Sequence, residues 1–310
     1  TLVNGDALNS SVGVSTPATL TSNVGSYALT PTGATFSSGA SSDYAITYAD
    51  GALAVTARPI TLTANNQSRV YGDANPTTGA FTISGSGLAN TDTLNASLAV
   101  SSPATLISHV GNYALTPNTA VFTSGSASNY AITYADGSLA VTARPITLTA
   151  NNQSRVYGDA NPTSGGFAIS GSGLVNSDAL ASSLNVSSTA TLASNVGSYD
   201  LTPGSAVFTA GVSSDYAITY VDGSLAITAR PITVTADNRN RVYGDANPVD
   251  GSFSITSGSL VNSDALNALV SLTSPATSTS HVGSYSLVPS GATFANGAAS
   301  NYAITYADGS

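Results

Sequence analysis

The chain has 310 residues, a formal net charge of −9 and only 7% charged residues, and it contains no Cys, Met or Trp. Without cysteine it can form neither a disulfide nor a thiolate metal site, and seven dispersed arginines in an acidic chain argue against nucleic-acid binding, which needs clustered positive charge. No apolar run approaches the ~18 residues of a membrane-spanning helix, so we expect no membrane insertion in this segment.

An exact repeat period of 86 residues organises the chain. The tripeptide Arg-Pro-Ile recurs with this period and begins at Arg58, Arg144 and Arg230. Length alone suggests about two domains, but the repeat overrides that estimate. It predicts a partial repeat at 1–57, full repeats at 58–143 and 144–229, and a repeat at 230–310 that lacks its last strand. Thr1 aligns with Gly87, so we expect the chain to be a segment of a longer array.

Alternating apolar and polar residues predict short strands within the repeat. In chain order, the repeat at 58–143 has strand patterns at 60–64, 67–71, 81–83, 98–101, 113–115, 120–123, 130–135 and 139–143. A turn is predicted at 90–92 and a single helical turn at 93–98. The Asp136-Gly137 pair between the last two patterns predicts a hairpin, because a type I′ turn needs positive φ at both central residues.

These strands predict an all-β protein, an elongated tandem array of 86-residue β-sandwich modules with immunoglobulin-like architecture. The residues that favour helices are scarce, since Glu, Lys and Met are absent. A β-grasp-like module, in which the turn near Asp92 stands in for the helix, is an open alternative.

No Gly- or Ser-rich linker separates the repeats. The last strand pattern of one repeat runs directly into an Arg-Pro pair, and proline fixes its own φ and keeps the preceding residue extended. Stiff junctions are therefore predicted at Arg58-Pro59, Arg144-Pro145 and Arg230-Pro231, with modules about 30–40 Å long. In a sandwich, the last hairpin turn would also bring Asp136 near Arg58, so an ion pair at the junction and a solvated arginine are the two alternatives there.

Several sequence motifs resemble a known family. They are Ile-Thr-Leu-Thr-Ala, Val-Tyr-Gly-Asp-Ala-Asn-Pro, Gly-Leu-Val-Asn-Ser-Asp-Ala-Leu, Val-Gly-Ser-Tyr and Tyr-Ala-Ile-Thr-Tyr, which follow one another in this order. They resemble the MBG domain of the YGX type and the related YDG repeats. This resemblance covers essentially the whole chain. It implies tandem repeats in very large secreted proteins of Gram-negative bacteria, which act as surface adhesins or biofilm-matrix proteins, and it supplies no catalytic residues.

Few side chains are candidates for chemistry. Asp73, Asn75 and Asp136 are weak candidates for calcium ligands. The longer acidic loop of a calcium site is absent, and Asp and Asn commonly form turns. His109 and His281 are replaced by asparagine in the other copies, which argues for a loop role over a catalytic one. No nucleophile has a base beside it, so we expect neither an enzyme nor a bound cofactor.

Tyr130, Ile132 and Tyr134 share one face of a strand. This stripe is interpreted as core, because tyrosine must supply bulk in a chain without Trp or Met, and a sugar-binding platform is the alternative.

Two functions follow as hypotheses. The first is a structural stalk on the Gram-negative cell surface or in an extracellular filament, whose partners are neighbouring repeats and other copies of the filament. The second is a set of weak sites for polysaccharide, protein or a host surface that act through avidity. A third hypothesis, in which an incomplete end repeat accepts a strand from another chain, rests only on the position of Thr1 within the repeat.

Overall fold

The computed structural model describes all residues from 1 to 310 and contains two compact units, Thr1–Ala143 and Arg144–Ser310. Its regular structure consists of strands and four short 3₁₀ helices, which confirms the all-β prediction. The 3₁₀ helices are Ser41–Asp43, Ala127–Asn129, Ser213–Asp215 and Ala299–Asn301. None of the helices has the length and apolarity needed to span a membrane.

The first unit holds the strands of the partial repeat and of one full repeat. They are β1 (Ala7–Leu8), β2 (Gly13–Ser15), β3 (Gly25–Thr32), β4 (Phe36–Ser38), β5 (Gly51–Val55), β6 (Arg58–Ala64), β7 (Gln67–Val70), β8 (Thr78–Gly79), β9 (Phe81–Gly85), β10 (Thr93–Leu94), β11 (Leu98–Ser101), β12 (Gly111–Asn118), β13 (Phe122–Ser124), β14 (Tyr130–Ala135) and β15 (Gly137–Thr142).

The second unit holds the strands of the last two repeats. They are β16 (Arg144–Ala150), β17 (Gln153–Val156), β18 (Ser164–Gly165), β19 (Phe167–Gly171), β20 (Ala179–Leu180), β21 (Leu184–Ser187), β22 (Gly197–Pro203), β23 (Phe208–Ala210), β24 (Tyr216–Val221), β25 (Gly223–Thr228), β26 (Arg230–Ala236), β27 (Asp250–Gly251), β28 (Phe253–Ser257), β29 (Ala265–Leu266), β30 (Val270–Thr273), β31 (Val288–Ser290), β32 (Phe294–Asn296) and β33 (Tyr302–Ala307).

Each sheet is built from the strands of a single repeat. The repeat at 144–229 has a three-stranded sheet in the order β19-β16-β24, a five-stranded sheet in the order β17-β25-β22-β21-β18, and a two-stranded ribbon of β20 and β23. The repeat at 58–143 has the same three sheets, with the equivalent strands. The sequence repeat is therefore also a repeat of strand pairing.

Two parallel chain segments pass through both large sheets. β16 leads into β17 after two residues, and β24 leads into β25 after one residue, Asp222. β16 pairs in parallel with β24, β17 pairs in parallel with β25, and partner residues stay 72 positions apart throughout. Where the segments cross between the sheets, the Ser224 N–H donates to the Asn152 side-chain oxygen at 2.9 Å. This side chain bridges the gap in the backbone ladder.

The predicted hairpin at Asp136-Gly137 is wrong. β14 and β15 do not pair with each other, because they pair in parallel with β6 and β7. Neither central residue has the positive φ of a type I′ turn. Glycine is needed at position 137 for a different reason, since a Cβ atom there would lie 2.3 Å from the carbonyl oxygen of Ala64.

The predicted helical turn at 93–98 is also wrong. Thr93 and Leu94 form β10, which pairs with β13. The segment that would replace the helix of a β-grasp module is therefore a strand, and the sheets of the repeat form a sandwich or barrel-like shape.

The alternating residues of the strands build the core. Ile146, Leu148 and Ala150 point inward from β16 and are 2%, 0% and 3% exposed, while the threonines between them point outward. In the second unit, one apolar cluster includes Leu201 and Leu225 of one repeat and Val234 and Leu272 of the next. The core of this unit thus continues from one repeat into its neighbour.

The last repeat lacks one edge strand that the two full repeats have. Residues 238–241 are not a strand, whereas the equivalent β7 and β17 are. β7 and β17 are edge strands whose only strand partners are β15 and β25, and of the equivalent segment this chain contains only Gly309 and Ser310. A groove of about 520 Å³ lies beside Arg241 and Leu287 at this place.

Candidate functional site: the joint between repeats

The second unit shows how one repeat joins the next. β25 ends at Thr228 and β26 begins at Arg230, with only Ala229 between them. The carbonyl of Thr228 accepts a hydrogen bond of 2.9 Å from the N–H of Tyr157, and its hydroxyl donates to the Arg155 carbonyl at 3.2 Å. The chain therefore passes from the hydrogen-bonded end of β25 into β26 through a single residue, with no flexible linker between the two repeats.

The Tyr-Gly-Asp turn of one repeat docks onto the next. Tyr157 is 3% exposed, and its hydroxyl donates to Oδ2 of Asp264 at 3.0 Å. Tyr302 donates to the same oxygen at 2.9 Å, and the two rings meet edge to face with centroids 5.6 Å apart. One carboxylate thus accepts hydrogen bonds from both repeats, and such charge-assisted bonds contribute about 1.5–3 kcal/mol each.

Glycine at the centre of this turn serves two needs. Gly158 has φ of +85°, a left-handed conformation that favours glycine. A Cβ atom there would also lie 2.4 Å from Cγ2 of Val261 in the next repeat. Positive φ is shared by the glycines of all three Tyr-Gly-Asp turns, at Gly72, Gly158 and Gly244, and the contact adds a second reason for glycine at Gly158.

Arg230, one of the predicted junction residues, binds the preceding repeat through a hydrogen bond and an ion pair. Its Nε donates to the Tyr157 carbonyl at 2.9 Å, and its Nη2 lies 2.5 Å from Oδ1 of Asp159. The two side chains of this ion pair are 21% and 51% exposed, so the pair contributes about 0–1 kcal/mol. The buried tyrosines and their shared carboxylate contribute more to the joint.

The predicted Arg58–Asp136 ion pair is wrong. Arg58 lies opposite Tyr130 at the start of β14, whereas Asp136 follows the other end of that strand. The prediction depended on the hairpin, which would have returned Asp136 to the end of the module where Arg58 lies. Arg58 instead donates to the carbonyls of Ser86 and Gly87. Arg144 makes the equivalent bonds to Ser172 and Gly173.

A second contact recurs in both units. The buried Asn301, 1% exposed, accepts a hydrogen bond from the Val196 N–H at 2.9 Å and donates to Oδ1 of Asn195 at 2.8 Å. In the first unit, Asn129 does the same with the Val24 N–H and Asn23, at 3.0 and 2.9 Å. This contact is not predicted from the sequence, although the position before each Tyr-Ala-Ile-Thr-Tyr always carries Asp or Asn.

A buried arginine holds the loops that form the joint. Arg155 is 7% exposed and donates to Oδ1 of Asn161, to the Val156 carbonyl and to the Thr191 carbonyl. Asn161 in turn donates to the Ala190 carbonyl at 2.6 Å. The pair ties the loop after the Tyr-Gly-Asp turn to the loop before β22. Arg69 and Asn75 make the same set of bonds in the first unit.

The weak calcium candidates do not come together. Both ends of the Asn75 amide are used, by Arg69 and by the Ala104 carbonyl. Asp136 precedes the strand that pairs with β7, and Asp73 follows the opposite end of β7. No group of three or more His, Cys, Asp or Glu side chains could hold a metal ion.

The two histidines share a backbone hydrogen bond with the asparagines at the same position of the other copies. Tyr113 donates to the His109 carbonyl and Tyr285 to the His281 carbonyl, at 2.9 and 3.0 Å. Asn23 and Asn195 accept the same bond from Tyr27 and Tyr199. A backbone acceptor explains why either residue type serves in the Val-Gly-x-Tyr turn.

The tyrosine stripe packs within its own repeat. Tyr130 is 6% exposed, stacks on Phe122 at 5.2 Å and donates to Asp92 at 2.7 Å. Ile132 packs against the same apolar cluster. Tyr134 is 38% exposed, and its hydroxyl accepts the Ala120 N–H at 2.7 Å. The core interpretation therefore holds for Tyr130 and Ile132 and is wrong for Tyr134, whose ring is exposed although its hydroxyl is bonded within the repeat.

We expect the joint to weaken at alkaline pH. Burial, followed by the hydrogen bond to Asp264, raises the pKa of Tyr302 from 10.0 to about 12 against an opposing bond from the Val261 N–H. Above pH 10 the unfolded state releases this proton first, so stability present below pH 10 is lost towards pH 12, by up to about 2–3 kcal/mol. Urea unfolding of the chain at a series of pH values measures this loss.

Tyr302→Phe should flatten this pH dependence. The exposed Tyr285 provides the control, since Tyr285→Phe should keep the wild-type dependence. An unchanged alkaline loss of stability in Tyr302→Phe would show that other groups cause it.

Comparison with known proteins assigns the family. The family model described as MBG domain (YGX type) matches residues 1–54, 60–140, 146–226 and 232–310. The search of curated proteins and the search of solved structures each returned no match. The matched segments follow the 86-residue period and cover nearly all of the chain. The chain is a tandem-repeat protein that belongs to the MBG domain family of the YGX type.

Proposed function

We propose that this chain is a stiff spacer within a secreted surface protein of a Gram-negative bacterium, located outside the cell as part of an adhesin stalk or a biofilm filament. The observation that carries the proposal is the joint of the second unit, where a shared Asp264 carboxylate and a continuous apolar core link consecutive repeats. A flexible linker would provide neither a shared carboxylate nor a continuous core.

The distribution of polar side chains supports a structural role over catalysis. Recurring polar positions hold loops and joints through hydrogen bonds, as Arg155 and Asn301 do. The partners in this proposal are the neighbouring repeats of the same chain, and no enzymatic activity is assigned.

The stiffness of the joint can be measured by electron spin resonance distances. The chain has no cysteine, so spin labels can be placed at Ser170→Cys and Thr256→Cys, two exposed positions on consecutive repeats. We expect a narrow distance distribution in the otherwise unchanged chain. Asp264→Ala should broaden it, because the hydroxyls of Tyr157 and Tyr302 lose their common acceptor.

The exposed Asp250 provides a matched control, and Asp250→Ala should leave the distribution narrow. A broad distribution in the unmodified joint would contradict the spacer. Binding of the chain to a glycan array, lost when tyrosines such as Tyr134 are replaced, would instead support the avidity hypothesis.

A further inference from the structure

We infer that each full repeat, at 58–143 and 144–229, is a mechanical clamp that resists unfolding when the chain is pulled from its two ends. The inference goes beyond spacing, because a spacer needs only a fixed length, whereas a clamp must hold that length under tension. It rests on the direction and register of the two terminal segments of the repeat.

The chain enters and leaves a repeat on two adjacent parallel segments. In the repeat at 58–143, entry is by β6 and β7, and exit is by β14 and β15. Arg58 pairs with Tyr130 at one end of this ribbon, and Val70 pairs with Thr142 at the other. The entry point is therefore at one end of the ribbon and the exit point is at the opposite end.

This arrangement loads the ribbon in shear. Tension at the two chain ends pulls the entry segment and the exit segment in opposite directions along their own axes. The hydrogen bonds between parallel strands are evenly spaced and lie across this direction, so they share the load and must fail together. Antiparallel terminal strands that leave from the same end would instead open one bond at a time.

Side chains reinforce the clamp where its backbone ladder is interrupted. At the crossing between sheets, the Ser138 N–H donates to Asn66 Oδ1 at 2.9 Å. At the exit end, the Tyr71 N–H donates to the Thr142 carbonyl at 2.9 Å, and the Thr142 hydroxyl donates to the Arg69 carbonyl at 3.2 Å. The equivalent bonds at Asn152 and Thr228 show that the reinforcement belongs to the repeat.

Single-molecule force spectroscopy on the full chain can separate pulling direction from stability. Anchoring through Thr56→Cys and Ala143→Cys pulls the repeat from its chain ends. Anchoring through Thr56→Cys and Ser128→Cys pulls both segments from the same end, because Ser128 lies just before Tyr130. The chain between the anchors spans about 300 Å when fully extended in the first geometry and about 250 Å in the second, and the released length is this span minus the folded distance between the anchors.

We expect a several-fold higher unfolding force in the end-to-end geometry at the same loading rate. Asn66→Ala should lower that force and leave the force for same-end pulling unchanged, because same-end pulling first breaks the Arg58–Tyr130 end of the ribbon. Equal forces in the two geometries would overturn the clamp. That result would leave the spacer proposal intact, since spin-label distances test the joint without load.

Discussion

Gly223→Ala should strongly destabilise the second unit. Gly223 begins β25 at the crossing between the two sheets, and a Cβ atom there would lie 2.4 Å from the Ala150 carbonyl oxygen. The obstructing atom is backbone, so relief requires the two parallel segments to separate. We expect a loss of about 3 kcal/mol or more in the free energy of unfolding, measured by urea unfolding with circular dichroism.

The chain supplies its own control for this substitution. Gly51 is the equivalent residue of the partial repeat, where the neighbouring entry segment is absent, and a Cβ atom there would lie 3.8 Å from its nearest neighbour. Gly51→Ala should therefore change stability by less than about 1 kcal/mol. Similar losses in the two variants would show that close approach at the crossing is not the reason for glycine.

Arg155→Leu should be the second most damaging change. The leucine cannot donate to the carbonyls of Val156 and Thr191 or to Asn161. Those acceptors would be left in a buried site, and a lost bond to a charged donor costs about 1.5–3 kcal/mol. We expect a total loss of about 3 kcal/mol and faster amide hydrogen exchange in the two loops that Arg155 connects.

Arg239→Leu provides the matched substitution at an exposed site. Arg239 makes a hydrogen bond of 3.4 Å to the Ser252 hydroxyl near the surface, so its replacement should cost less than about 0.5 kcal/mol. If Arg155→Leu were equally mild, the buried arginine would not be the support of the joint loops.

The contacts between consecutive repeats in the second unit come from two sets of residues. Tyr157, Gly158 and Asp159 form one face of the joint, and Asp264 and Tyr302 form the other. In the second unit, the Val-Tyr-Gly-Asp sequence at 156–159 therefore docks onto the following repeat.

Much of the fold could be predicted from local sequence. The strand of Ile146, Leu148 and Ala150 alternates inward and outward residues, and this period of two is visible without a structure. The period of 86 residues likewise predicted copies of one unit, and the family match has the same spacing. The alternation is visible in neighbouring residues, and the period is visible as sequence identity between copies.

The errors arose where two distant segments meet. Asp136-Gly137 has the composition of a hairpin turn, but glycine is required there by the Ala64 carbonyl of a segment far away in sequence. The predicted ion pair between Asp136 and Arg58 depends on that hairpin, so it is wrong for the same reason.

By itself, the sequence determined that this protein is a row of β-rich repeats without thiols and without linkers, because composition, alternation and period are local properties. Only the tertiary structure decided that the terminal segments run in parallel, that Asp264 accepts two tyrosines and that Asn301 is buried at the joint. Strand direction and pairing depend on which backbones approach each other across the core, and the same alternating pattern is compatible with either direction.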